Sequence, residues 1–208
     1  MKKLLFFIVI SLYYSCAVHN KPVQKNDNEL TQIEKNIINA FLDAELDKER
    51  YYRFKNYKHV VIEEALKKIK SIDTYLYSLD EWSTMNKINK SEDVKNMYFL
   101  DTMQIKKIKN NLKDEEVYLW KTSDFKKDIA HTFKFEELRK TTNTGEYLQN
   151  RLIIYLSRPL IIDENNAFIS FEIGNGDFGF YPITHFTVLM RKKENKWVES
   201  GFYEDGVF

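Results

Sequence analysis

Of the residues able to do chemistry, His185 draws attention first. It sits in the strand-like stretch Thr184-His185-Phe186, after a glycine-containing loop, and Asp177, Glu199 and Glu204 lie on segments that could neighbour it. A histidine paired with a carboxylate can work as a general base near neutral pH. A half-buried strand histidine bonded to a neighbour has the same local sequence and is the more ordinary outcome. Ser170, His185 and Asp205 supply the letters of a Ser-His-Asp triad. Ser170 lies flat in Ile169-Ser170-Phe171, without the sharp turn that exposes a nucleophilic serine. Gly174-x-Gly176-x-x-Gly179 spells a dinucleotide fingerprint, yet Phe180-Tyr181-Pro182 and a strand follow where a helix should begin. That helix N-terminus is what holds the pyrophosphate. Asp163-Glu164-Asn165-Asn166 lacks the ligand spacing of a calcium loop and reads as a turn. The histidines, His19, His59, His131 and His185, have no His or Cys partner at metal spacing. The sequence thus predicts no catalytic set, no cofactor and no metal site. Aromatic side chains remain. Phe178, Phe180 and Tyr181 share the loop Gly174 to Pro182, which is expected to project from a sheet end as a contact surface.

The other reactive residue is Cys16, the single cysteine of the chain. Lys2 and Lys3 precede the apolar run Leu4 to Leu12, whose nine residues are too few to cross a bilayer as a helix. A charged start followed by a short apolar run is the pattern of an export signal. Leu12-Tyr13-Tyr14-Ser15-Cys16-Ala17 then resembles the lipobox of bacterial lipoproteins, with Tyr13 and Tyr14 departing from its usual leucine and small residues. The resemblance implies diacylglycerol on Cys16 and cleavage just before it, so that residues 1–15 are a signal peptide and 16–28 a lipidated, polar tether. It further implies attachment to the outer membrane, facing the periplasm. Ordinary secretion is the alternative, because Ser15-Cys16-Ala17 also fits a small-x-small cleavage site. A lone thiol leaves the mature chain without disulfides, so packing must hold it together.

Composition supports a packed fold. Hydrophobic residues make up 43% and aromatics 15%, with only six Gly and three Pro in 208 residues, which argues against disorder. The net charge of +1 gives no general electrostatic grip on nucleic acid, so no nucleic-acid partner is expected. Residues 29–208 suit a single domain.

Periodicity places the elements. Thr31 and Glu34 have capping-box spacing, and Leu30, Ile33, Ile37, Phe41 and Ala44 form an apolar helical stripe. Tyr51, Tyr52, Phe54 and Tyr57 cluster in the connector that follows. Ile62, Leu66, Ile69, Ile72, Leu76 and Leu79 have helical gaps, while Val60-Val61-Ile62 could equally open the segment as a short strand. Asp101 and Gln104 cap a third helix, and Val117 to Trp120 reads as a strand. After Gln149 the pattern turns to β: Leu152 to Ser157, a piece limited to an edge by Pro159, Ala167 to Ile173, His185 to Arg191, and Trp197 to Tyr203. Trp197 is expected to be a buried anchor of the last hairpin. The fold class is α+β, helical over 29–150 and mainly β over 151–208, with an antiparallel meander of about four strands.

Residues 156–171 (LSRPLIIDENNAFISF) and 189–203 (LMRKKENKWVESGFY) resemble small uncharacterised exported proteins of Bacteroidetes, in which an S-x-P strand precedes a meander closed by a K-K-x-N-x-K-W hairpin. This resemblance implies a fold and no activity. A weaker one, to the cone-shaped domains of the nuclear-transport-factor type, rests on the charged hairpin followed by Trp. The functional expectation is a lipid-anchored envelope protein that binds, without catalysis, an envelope protein or another partner. An immunity-type protein that neutralises a toxin is one variant. The alternatives are an envelope hydrolase built on His185 and a carboxylate, or a small-ligand binder with a cone-shaped sheet.

Overall fold

The computed structural model describes residues 29–85, 96–126, 129–144, 148–177 and 180–206. Cys16, the expected signal and tether, and Phe178 lie outside them. The chain is α+β around one mixed, mostly antiparallel sheet of seven strands. Helix α1 (Gln32–Leu46) is followed by a 3-10 turn (Glu49–Phe54) and strand β1 (Lys58–Ile62). Helices α2 (Ile69–Met85) and α3 (Thr102–Asn111) come next, then β2 (Ile129–Phe133) and α4 (Phe135–Thr144). Strands β3 (Arg151–Leu156), β4 (Leu160–Ile161), β5 (Asn166–Asn175), β6 (Tyr181–Lys193) and β7 (Lys196–Tyr203) complete the chain. The sheet order is β2-β1-β3-β5-β6-β7, with β4 paired to β5.

The expected meander is present from β3 to β7, and β4 is the short piece beside Pro159. The sheet is nevertheless larger than four strands, and helices do not all precede it. β1 pairs in parallel with both β2 and β3. Parallel neighbours need crossovers of a dozen or more residues, which is why α2, α3 and α4 are threaded between strands. The segment from Ile62 divides into the end of β1 and a helix that starts only at Ile69. Val117 to Trp120 forms no strand of the sheet; Leu119 makes an isolated bridge to Glu64, and the Trp120 amide donates to the Glu63 carbonyl at 2.7 Å.

Alternation along the strands sends residues to two cores. Leu152, Ile154, Ala167, Ile169, Phe171 and Val188 face α1 and the 3-10 turn. Phe168, Leu189 and Tyr203 face α2 and α3, and Ile153 meets Ile62 and Leu138 of α4. Among the described residues the result is three layers, with α1 on one face and α2, α3 and α4 on the other. The α1 capping box forms as the sequence predicts: the Glu34 amide donates to Thr31 Oγ1 at 3.2 Å, and the Thr31 amide to Glu34 Oε2 at 2.8 Å. The Asp101–Gln104 box forms likewise. The buried stripe of α1 is Glu34, Ile37, Ile38, Phe41, Leu42 and Glu45, rotated from the expected one, so Ile33 is left 55% exposed. Trp197 is half-buried against the α1-side core rather than enclosed.

Candidate functional site

Two features of the surface could serve a ligand. The first is an open cleft of about 700 Å³ between α1 and the β6–β7 hairpin. Ile33 and Ala40 of α1, Ile161 of β4 and Trp197 give it an apolar floor. Its rim carries both signs of charge, with Lys126 and Lys192 near Asp163 and Glu164. Each floor residue is there for a local reason. Ile33 is the apolar residue that the α1 stripe leaves outside. Ile161, 41% exposed, sits on a strand of two residues that can bury only one of them. Trp197 follows the turn at Glu194 and Asn195, both of positive φ, and rests beside the cleft.

The second feature crosses the opposite sheet face. Tyr155 of β3, Glu172 of β5 and His185 of β6 are direct register partners. Residues opposite each other in antiparallel strands point to the same face, so the three form one row. Interior positions on either side along β3 and β5 are buried, whereas this row is half-exposed. It lies where the helices part: the start of α2 covers Ser170, and α4 covers Ile153. Lys70 from α2 contacts Glu172 at 2.5 Å and Asp205 at 3.9 Å. Asp205 comes from the tail after β7, and its Oδ1 is 3.0 Å from His185 Nδ1. At the other end Phe135 stacks on Tyr155, with ring centroids 5.8 Å apart, and the Phe135 amide donates to Glu64 Oε2 at 2.9 Å. Burial, then the carboxylates of Glu172 and Glu64, raise the Tyr155 phenol above its ordinary range.

The partner of His185 is therefore Asp205, not Asp177, Glu199 or Glu204. Asp177 instead accepts from the Tyr57 hydroxyl at 2.6 Å and from the Asn150 amide at 3.0 Å. Glu199 pairs with Lys48 on the other face, in a pocket of about 350 Å³ that also holds Glu45 and Phe202. Two members of the drawn triad meet and the third does not join them. Ser170 has no exposed surface, and its Oγ lies 2.8 Å from Ser71 Oγ and 2.7 Å from Thr187 Oγ1. What Asp205 and His185 can do is orient the imidazole, holding Nδ1 and leaving Nε2 to face a ligand.

The glycine loop has a structural reading. A Cβ on Gly174 would collide with the Tyr181 carbonyl, and one on Gly176 with the Leu148 carbonyl, so both glycines permit close backbone approach. Phe180 packs half-buried against the cluster of Ile62, Leu138 and Ile153, while Tyr181 is 67% exposed. Of the connector aromatics, Tyr51 and Phe54 are buried and Tyr52 is exposed. The side chains of Asp163 cap their own turn, Asp163 Oδ1 accepting from the Asn165 amide at 2.8 Å. Among the described residues no group of three or more His, Cys, Asp or Glu converges as a metal would require, and no helix is long and apolar enough to cross a membrane. No protein-family model matches the chain, and no curated protein or solved structure matches it significantly.

Proposed function

We propose that this is an envelope protein, anchored by lipid on Cys16, whose domain acts as a non-catalytic binding module for a protein partner. The observation that carries the reading is the cleft beside Trp197. An apolar floor of Ile33, Ile161 and Trp197 inside a rim of mixed charge has the anatomy of a protein contact site, where a central tryptophan supplies much of the affinity. The occupant that fits is a protein segment presenting an apolar side chain between charges of both signs. Immunity to a toxin is one form such binding could take. The hydrolase alternative finds His185 and Asp205 together, yet the hydroxyl one row away is Ser170, buried and bonded on both sides.

A photo-crosslinking amino acid placed at Ile33 or Trp197 in living cells tests this. One discrete protein adduct is expected from those positions, none from Tyr52 on the exposed connector, and its loss in Ile161→Asp. No adduct, or the same adduct from Tyr52, overturns the assignment. Radiolabelled fatty acid incorporated into the wild type and not into Cys16→Ser tests the anchor separately; a wild type that takes up no label refutes it.

A further inference from the structure

We propose that the row Tyr155–Glu172–His185 is a second binding site, whose ligand is a neutral saccharide. Strands in a sheet are spaced about 4.8 Å apart, so Tyr155 and His185, two strands apart, span about 10 Å, a length that suits one or two sugar rings. One end is an aromatic platform. Phe135 is 39% exposed, stacks on Tyr155 and is held by the hydrogen bond its backbone amide donates to Glu64, so it stands ready to meet the apolar C–H face of a pyranose. The other end is polar and mixes donors with acceptors. Glu172 accepts, Lys70 donates, the Tyr155 phenol donates, and His185 presents Nε2 because Asp205 engages Nδ1.

Charge decides the ligand class. Lys70 is shared by Glu172 and Asp205, and Asp205 also meets His185, so the row carries two carboxylates against one ammonium. A strongly anionic ligand is repelled by the carboxylates, and a strongly cationic one finds both already engaged by Lys70. A polyhydroxylated neutral molecule gains from such a surface, because each hydroxyl can accept from Lys70 or Tyr155 and donate to Glu172 or His185. The placement also explains why a polar, half-exposed row persists in the middle of a sheet whose neighbouring positions are closed. Sites that break the local packing rule in this way are candidates for function.

The site is independent of the cleft beside Trp197, which lies on the other face. Maltotriose, cellotriose and chitotriose, titrated calorimetrically into the full mature chain, serve as probes. At least one should bind with a sub-millimolar dissociation constant. Phe135→Ala and Glu172→Gln should each weaken that binding at least about tenfold, with melting temperatures recorded to exclude unfolding. Tyr155→Phe, which keeps the ring and removes the hydroxyl, should weaken it less than Phe135→Ala. Ile161→Asp, in the cleft, should leave it unchanged. Failure of all three saccharides to bind overturns the proposal, as does binding that survives both Phe135→Ala and Glu172→Gln or is lost in Ile161→Asp.

Discussion

Glu45 is a carboxylate with no exposed surface, and everything it needs comes from the few residues that follow it. The Tyr51 hydroxyl donates to Oε1 at 2.7 Å, Lys48 pairs with Oε2, and Arg50 lies 3.3 Å from Oε1. Lys48 continues to Glu199 at 2.7 Å, tying the end of α1 to β7. Removing the carboxylate leaves the Tyr51 hydroxyl buried without its acceptor, whereas Lys48 and Arg50, each about a third exposed, can turn to water. Glu45→Ala should therefore lower unfolding stability by about 2 to 4 kcal/mol, and Tyr51→Phe by about 1 to 2 kcal/mol. Urea titration with an unchanged m value checks both; a Glu45→Ala loss smaller than that of Tyr51→Phe would show that the carboxylate is not the acceptor that matters. The same scale shows what the sequence could reveal of the site. His185 was legible as a strand histidine near acids. Asp205 stood beside it only as the acid of a drawn triad, and the acids expected to neighbour it, Asp177, Glu199 and Glu204, are not its partner, because which residue faces which depends on register, and bulges interrupt it at Ile173/Gly174 and Leu189/Met190. Glu199 is carried to the α1 face, and Asp205 reaches His185 only after the strand has ended. Tyr155 and Glu172 carried no local signal at all, since their significance lies in being register partners of His185.

Local signals were readable, and long-range pairings were not. The capping boxes at Thr31 and Asp101 sit where spacing puts them, and β3 and β5, buried along both faces, were legible as apolar β-prone runs bounded by turns. β1 is a short apolar run, and such runs in parallel strands look the same as a piece of buried helix. β2, with a polar centre at His131 and Thr132, gives less still. The docking of α2 onto the sheet has a chemistry that periodicity cannot show: a chain of fully buried hydroxyls, Ser71–Ser170–Thr187, closed by the Ser170 amide donating to Ser157 Oγ at 2.9 Å. Ser170 is the shared member. Ser170→Ala should cost about 1 to 3 kcal/mol, because it strands two hydroxyls where water does not reach. Adding Ser71→Ala removes one of the stranded groups, so the double variant should be no less stable than the sum of its parts and measurably more so. Strict additivity would mean that the 2.8 Å contact contributes nothing to holding α2.

At the scale of the whole molecule, tyrosines report on both cores at once. The chain has 13 of them, and among the described residues four are nearly or fully enclosed, Tyr51 and Tyr118 on the α1 side and Tyr75 and Tyr203 on the α2 side; three of these, Tyr51, Tyr118 and Tyr203, have the most strongly raised phenols. Burial is the main cause raising each phenol far above its ordinary range. Contact with Glu45 adds to it for Tyr51, and contact with Asp124 for Tyr118. A phenol whose folded pKa is raised keeps its proton at a pH where the unfolded chain has released it, near 10. The folded state then binds more protons, so the stability these groups supply is complete below about pH 10 and falls as pH climbs toward their native values. Each such tyrosine removes about 1.4 kcal/mol per pH unit, and the three together about 4 kcal/mol per unit. Against a typical total of about 5 to 15 kcal/mol, that slope should collapse the domain between about pH 11 and 13. Tyrosinate absorbance and far-UV circular dichroism, followed together through an alkaline titration, decide the matter. A final fraction of the absorbance should appear only in the step that loses the dichroism. Because Tyr203 packs against Tyr75 and Phe168, with centroids 5.2 and 5.5 Å away, Tyr203→Phe should keep those contacts and make the alkaline loss of stability shallower. Complete tyrosinate formation while the dichroism stays intact would mean that water reaches these rings, and that neither core is closed around them.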